Sequence, residues 1–265
     1  MSDEWGPEVE DRVGVAAFDF DGTLIWGDSF TTFLIGLRGW PRFVGTFALS
    51  LTRVFVGHRF RLDRDTSKAD LVARLLAGHP AERMARHAEE FGDRLADRVR
   101  PGMRSRIEWH RAQGHRLLLV SASPEVYLVP LGRHLGFDAV LATRLEIGPD
   151  QRLTGRLDGA NCRGPEKEIR VRAWLDDHLA GRPVELWAYG DSPGDREMLA
   201  MADHPRLLTR RDHFRTRRDH FRTRRDHFRT RWYRPRRRPG EGTQGRARAR
   251  AFPRATSGGS RNLRR

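Results

Sequence analysis

Two carboxylates lie one residue apart where an apolar segment near the start of the chain ends. Residues 13–18 (VGVAAF) are followed by Asp19 and Asp21, and Gly22 and Thr23 come next. Side chains alternate across a β-strand, so a strand that continued through this segment would point both carboxylates the same way. Two like charges on one side repel each other unless a cation or a proton offsets them. The pair is therefore either a strand end that runs into a solvated turn or a metal-assisted acid/base site.

Four more side chains suited to catalysis lie near the ends of later segments. Ser121 ends the apolar run LLLVS, Asp191 ends LWAYGD, and Asp195 follows four residues later. Lys167 lies near the start of a predicted helix and is one of only two lysines in a chain with 48 arginines, which favours a need for a compact ammonium there. Ligands of open α/β sheets bind beyond the carboxyl ends of the strands. We therefore expect these four side chains to lie beside the first pair of carboxylates.

The hydrophobic pattern predicts strands that alternate with helices. The strands are predicted at residues 13–18, 115–123, 139–143 and 184–191, with a hairpin at 144–157 and residues 205–209 as a further candidate. The helices are predicted at residues 28–37, 66–78, 80–99, 101–114, 124–136, 164–181 and 195–203. Alternation of this kind implies a parallel α/β sheet covered by helices.

The helical block that follows the first strand is too long for a single crossover connection. It spans residues 29–96, and we predict that it forms an inserted helical cap domain. Residues 1–28 and 97–209 would then form the catalytic core. Residues 210–265 would form a separate basic tail.

The order of these motifs resembles that of the haloacid dehalogenase (HAD) superfamily. DFDGTL is similar to the first motif of that superfamily, Ser121 to the second, Lys167 to the third and GDSPGD to the fourth. The resemblance covers residues 13–209. It implies a Rossmann-like parallel sheet with a helical cap inserted after the first strand.

The resemblance also implies a role for each motif residue. Asp19 would be the nucleophile that forms an aspartyl-phosphate, and Asp21 would be the general acid and base. Mg²⁺ would be held by Asp19, the main-chain carbonyl of Asp21 and Asp191, with Asp195 in support. The residues that would bind the phosphoryl group are Ser121, Lys167, Gly22 and Thr23. Within the superfamily, an Asp at position 21 favours phosphomonoester hydrolysis, or less often a mutase, over the transport ATPases and dehalogenases.

The position of the predicted cap is similar to that in one HAD subfamily, which contains phosphoserine phosphatases and bacterial HAD-type phosphatidylglycerophosphatases. Asp28 stands where phosphoserine phosphatases usually carry a Glu that faces the substrate's amine, and GDSPGD replaces their GDGAND. Both departures argue against phosphoserine. The expected substrate is a small phosphorylated metabolite or a phospholipid headgroup phosphate, and Asp28 is a candidate substrate contact.

The positive charge of the chain is concentrated in its last part. The whole chain carries +15, but residues 210–265 hold 21 Arg against 3 Asp and 1 Glu, so the remaining 209 residues are slightly acidic. The tail contains three copies of RRDHFRT and is otherwise rich in Arg, Gly and Pro, which predicts disorder. It is either an adventitious extension or an arm that binds polyanions such as nucleic acid or anionic lipid. The rival function is therefore a polyanion-binding protein with a weak or vestigial phosphatase core.

The remaining sequence features indicate a cytoplasmic protein. Cys162 is the only cysteine, the first residues have no apolar signal segment, and arginines and a proline interrupt the apolar residues 30–57. That apolar segment is either the packed core of the cap or a surface that contacts a membrane or a lipid chain. No chemistry is assigned to Cys162 or to the histidines, and no stable partner is inferred.

Overall fold

The computed structural model describes residues 12–38 and 75–208 of the chain. Most of the predicted cap and the whole tail from residue 210 lie outside these residues. The predicted domain boundaries, the lipid contact of the cap and the disorder of the tail therefore stay predictions. In the described part, no helix is both long and apolar enough to cross a membrane.

A single six-stranded sheet forms the centre of the described fold. The strands are β1 (Val13–Phe18), β2 (Arg116–Pro124), β3 (Ala139–Ile147), β4 (Leu153–Asp158), β5 (Val184–Gly190) and β6 (His204–Leu207). Their spatial order is β4-β3-β2-β1-β5-β6, and every neighbouring pair is parallel except β3 with β4. This confirms the predicted α/β fold with a mostly parallel sheet. The short β6 forms an outer strand where the sequence pattern gave residues 205–209 as a further candidate.

One strand boundary was predicted wrongly. The sequence pattern separated a strand at residues 139–143 from a hairpin at 144–157, but β3 continues without a break to Ile147 and forms the first strand of that hairpin. Its first half pairs in parallel with β2, and its second half pairs with the antiparallel β4. The pattern changes because the surroundings change: Ala142 and Thr143 are buried, whereas Arg144 begins a more exposed edge.

The helices cover both faces of the sheet. They are α1 (Ser29–Arg38), α2 (Ala81–Ala96), α3 (Pro101–Ala112), α4 (Glu125–Leu135), α5 (Pro165–Leu179) and the short α6 (Arg196–Met201). In β1, Val15 and Ala17 pack with α5 and α6, whereas Ala16 and Phe18 pack with the side of α1 to α4. Because both faces are buried, β1 is apolar throughout rather than alternating.

The strand register brings the predicted motifs to one edge of the sheet. Phe18, the last residue of β1, lies opposite Leu119 of β2 and Tyr189 of β5. The residues that follow these three positions are therefore neighbours at the carboxyl edge of the central strands. α5 begins at Pro165, because Pro is well suited to the first helical position. Lys167, in the first turn of α5, reaches the same edge of the sheet.

Candidate active site

Asp19 and Lys167 form a buried ion pair at the end of β1. The ammonium of Lys167 lies 2.6 Å from Asp19 Oδ1 and 2.6 Å from Asp195 Oδ1, and it also donates to the carbonyl of Val120 at 2.9 Å. These three bonds use all three donors of the ammonium. Only 2% of Lys167 is exposed. The two paired carboxylates offset the free-energy cost of burying its charge.

The buried charges shift one another's protonation. Burial raises the pKa of Asp19 to about 8, with a further rise from the charge of Asp195 and an opposing effect of Lys167. Burial by itself lowers the pKa of Lys167, but the two carboxylates outweigh it and raise that pKa above its ordinary value. The ion pair is thus held in a place where negative charge is in excess.

Three carboxylates converge on a position suited to a cation. One oxygen each from Asp19, Asp191 and Asp195 lies within 4.8 Å of the others. Burial and the charge of Asp195 raise the pKa of Asp191 to about 6. A divalent cation would relieve this repulsion, and Mg²⁺ favours a few carboxylates completed by water and phosphate oxygens. The donor set therefore fits the ion that the sequence implied.

Asp195 is held more firmly than the other two carboxylates. Its Oδ1 accepts from Lys167, and its Oδ2 accepts from the main-chain N and the hydroxyl of Ser192 at 3.0 and 2.8 Å. This capping box fixes the short 3₁₀ turn Pro193–Asp195 before α6. Because both of its oxygens already have partners, Asp195 is suited to support a cation held more directly by Asp19 and Asp191.

Asp21 has surroundings different from those of Asp19. Its carboxylate accepts from the main-chain N of Ser29 at 2.7 Å, from the hydroxyl of Ser29 at 3.0 Å, and from the hydroxyl of Ser123. The hydroxyl of Ser29 also lies 3.0 Å from that of Tyr127. Burial raises the pKa of Asp21. The charge of Asp21 still raises the pKa of Asp19, but less than burial and Asp195 do. β1 ends at Phe18, so strand alternation does not extend to Asp21.

Besides Lys167, two of the four predicted phosphate-binding residues, Ser121 and Gly22, line the cavity next to these carboxylates. Ser121 is buried and accepts a hydrogen bond from the main-chain N of Ser123 at 3.1 Å. Gly22 has a φ of +80°, and a β-carbon there would lie 2.1 Å from Asp191 Oδ2. Glycine is therefore required at this position, both for its backbone conformation and for its close approach to Asp191.

Two other predicted residues lie away from the cavity lining. Thr23 is fully buried and serves the turn, where its main-chain N donates to the carbonyl of Phe20. Asp28 is exposed and caps α1, accepting from the main-chain N of Phe30 at 2.9 Å and from the hydroxyl of Thr31 at 2.7 Å. Within the described residues, the structure brings neither side chain into the site.

The lining of the cavity also includes three large side chains outside the predicted motifs. The cavity has a volume of about 570 Å³, and its lining includes Trp26, Arg100 and Arg163 besides the acidic residues. The guanidinium of Arg100 lies 3.9 Å from the centroid of the Trp26 ring. Nothing in the sequence distinguishes Arg100 and Arg163 among the many arginines, since neither belongs to a motif.

This combination of fold and site defines a hydrolase of the haloacid dehalogenase class. The model of the haloacid dehalogenase-like hydrolase family matches residues 16–200, and the chain belongs to that family. Among curated proteins, the chain is 39% identical over 191 residues to Protein CicA of Caulobacter vibrioides, covering 71% of this chain and 83% of CicA. It is 26% identical over 205 residues to a histidinol-phosphatase of Neisseria meningitidis, covering 72% of this chain and 88% of that protein.

A solved structure supports the same fold. A substrate-bound phosphoserine phosphatase superposes with a TM-score of 0.52 at 22% identity, covering 73% of this chain and 84% of that one. At this identity the likeness concerns the fold alone. The match to the family model confirms the resemblance to the HAD superfamily that the sequence motifs indicated.

Proposed function

We propose that this protein is a Mg²⁺-dependent phosphomonoester hydrolase that acts through an aspartyl-phosphate on Asp19. The observation that carries the proposal is the position of Asp19, which is paired with Lys167 at 2.6 Å and lies within 4.8 Å of the oxygens of Asp191 and Asp195. Asp21 lines the same cavity with its own set of hydrogen bonds. Membership of a hydrolase family and similarity to a curated phosphatase support this reading.

In the first half of the reaction, a carboxylate oxygen of Asp19 attacks phosphorus. The bond between phosphorus and the leaving oxygen breaks, and Asp21 gives a proton to that oxygen. In the second half, Asp21 takes a proton from water as the water oxygen attacks phosphorus. The bond between phosphorus and Asp19 breaks, inorganic phosphate is released, and the free carboxylate of Asp19 is restored.

Phosphoryl transfer depends mainly on positioning and on neutralising negative charge. Lys167 holds Asp19 in one orientation and supplies positive charge beside the attacking oxygen. Ser121 is placed to bind an oxygen of the transferred group. When bound by Asp19, Asp191 and the main-chain carbonyl of Asp21, Mg²⁺ would supply charge neutralisation for the phosphoryl oxygens.

The substrate is proposed only as a class, a small phosphorylated metabolite or a phospholipid headgroup phosphate in the cytoplasm. Asp28 is the candidate contact for a substrate amine, but its carboxylate caps α1. That arrangement supports a leaving group other than serine. It agrees with the sequence departures from phosphoserine phosphatases.

The test is a panel of phosphomonoesters assayed with and without Mg²⁺, comparing wild type with Asp19→Asn. Wild type should release phosphate and form an acid-stable, hydroxylamine-sensitive acyl-phosphate, and Asp19→Asn should do neither. Asp138→Asn is a suitable control, because Asp138 pairs with Arg116 outside the cavity. A folded, Mg²⁺-supplied wild type that hydrolyses no phosphomonoester and forms no acyl-phosphate would contradict the proposal.

A further inference from the structure

Arg100 is bonded to the segment that follows Asp21. Its main-chain N donates to the carbonyl of Leu24 at 2.9 Å, and its Nη2 donates to the carbonyls of Ile25, at 2.8 Å, and of Gly22. Its guanidinium also lies over the ring of Trp26. Only 8% of Arg100 is exposed. One residue therefore contacts four of the five residues between positions 22 and 26.

These contacts join the two connecting segments through which the chain leaves β1 for α1 and returns from α2 to α3. Residues 19–28 lead out of β1 to α1, and residues 97–100 lead from α2 back to α3. The two segments are separated in sequence by residues 29–96. Arg100 binds them together at the point where they pass the cavity, and loss of its side chain would leave buried carbonyls without their donor.

The segment held by Arg100 lies directly beside Asp21 and Asp191. Gly22, whose carbonyl accepts from Arg100, directly follows Asp21 in the chain. Asp21 also forms a β-bridge with Ile25. The α-carbon of Gly22 also packs closely against the Asp191 carboxylate. A shift of this turn would therefore displace the carboxylate of Asp21 from its place in the cavity.

We propose that Arg100 is a positioning residue for the reaction, which holds the turn at residues 22–26 so that Asp21 can give its proton to the leaving oxygen. This inference rests on the proposed phosphatase function. The competing role is direct contact of the guanidinium with the phosphoryl group, since Arg100 also lines the cavity. The two roles predict different dependence on the leaving group.

The experiment compares two esters that differ in their need for a proton. The alkoxide of benzyl phosphate must be protonated as it leaves, whereas the phenolate of 4-nitrophenyl phosphate leaves without a proton. Both leaving groups carry a benzene ring, so contacts with Trp26 are similar. The quantity measured is kcat/KM, which reports the steps up to formation of the aspartyl-phosphate.

The variant Arg100→Met keeps an unbranched apolar stem but removes the donors. We expect its kcat/KM for benzyl phosphate to fall at least about tenfold further than that for 4-nitrophenyl phosphate, since general acid catalysis typically contributes 10²- to 10⁴-fold. Asp21→Asn should show the same preference, and the inhibition constant of inorganic phosphate should change little in Arg100→Met. The matched control is Arg104→Met, because Arg104 lies in α3, the helix that begins directly after Arg100, and also donates to a main-chain carbonyl, that of Ala96.

Equal losses for the two esters, or a parallel loss of phosphate affinity, would overturn the inference and favour direct contact or a purely structural role. Arg100→Lys keeps the charge but cannot hold both carbonyls in the same way. Like Arg100→Met, it should therefore lose more kcat/KM for benzyl phosphate than for 4-nitrophenyl phosphate. A wild-type ester ratio in Arg100→Lys would show that charge alone suffices and would refute the positioning role. Arg100→Lys also serves if Arg100→Met does not fold. If wild type hydrolyses neither ester nor any other phosphomonoester, the proposed function fails instead.

Discussion

The buried histidine His110 should make the stability of the fold depend on pH. His110 is fully buried, its Nε2 lies 2.9 Å from the hydroxyl of Tyr189, and its Nδ1 lies 2.8 Å from Nδ1 of His115. Burial lowers the pKa of His110 from 6.5 to about 3, with smaller contributions in the same direction from the charges of His115, Arg106 and His204. The imidazole is therefore neutral in the native state throughout the usual pH range.

The direction of the effect follows from which state binds the proton. Below pH 6.5 the unfolded chain takes up a proton at His110 and the native state does not, so stability is complete above that pH and falls as the pH decreases. One pKa unit corresponds to about 1.4 kcal/mol, and the native state should lose about 2 kcal/mol between pH 7.5 and pH 5 through His110 alone. The loss would continue as the pH approaches the native pKa.

The assay is urea unfolding of wild type and His110→Gln at pH 7.5, 6.5 and 5. Glutamine can donate and accept hydrogen bonds but does not titrate, so the free energy of unfolding of His110→Gln should fall by about 2 kcal/mol less over this range. The matched control variant is His134→Gln, in which an exposed histidine is replaced in the same way. If wild type and His110→Gln lose stability in parallel as the pH falls, the reasoning is refuted.

Three further outcomes are expected. Gly22→Ala should lower both stability and phosphatase activity, because the left-handed φ and the nearby Asp191 leave no room for a β-carbon; thermal unfolding and steady-state kinetics would detect this, and wild-type values in both would contradict the geometry. Lys167→Met should abolish acyl-phosphate formation and, without Mg²⁺, lower the free energy of unfolding by about 3–5 kcal/mol, since two buried carboxylates lose their partner; added Mg²⁺ should restore part of the stability but not the activity, and full activity would exclude the proposed role. Deletion of residues 210–265 should abolish any salt-dependent binding to DNA while leaving kcat/KM unchanged; retention of DNA binding by the shortened chain in an anisotropy titration would show that the tail is not its source.

The fold could be predicted from sequence wherever burial was uniform. β1 and β5 are apolar because helices cover both faces, and the Pro and Gly residues around α3 and α5 mark their ends. The prediction failed at β3, where one strand passes from a buried to an exposed environment and its pattern changes partway. A local reading divides such a strand, because the environment that makes it continuous comes from pairing with distant residues.

The candidate site was predictable to the extent that its residues follow strand ends. The ends of β1, β2 and β5 must meet in a parallel sheet, so Asp19, Ser121 and Asp191 could be placed together before their contacts were known. Arg100 could not be found in this way, because its role comes from hydrogen bonds to main-chain carbonyls some 75 residues earlier in the chain. Main-chain carbonyls are present at every residue and leave no signature in the sequence.

The contacts of the two carboxylates support the proposed roles of Asp19 as nucleophile and Asp21 as general acid and base. Asp19 is paired with the ammonium of Lys167, which can donate hydrogen bonds but cannot accept them, so protonation of Asp19 would disturb its partner. Asp21 is surrounded by the hydroxyls of Ser29 and Ser123, which can both donate and accept. These hydroxyls can reorient when Asp21 gains or loses a proton, so either protonation state keeps its hydrogen bonds. A nucleophile must be charged when it attacks, and Lys167 opposes the rise in the pKa of Asp19 that burial causes. A general acid must change its charge twice in each cycle, and the hydroxyls around Asp21 suit that requirement.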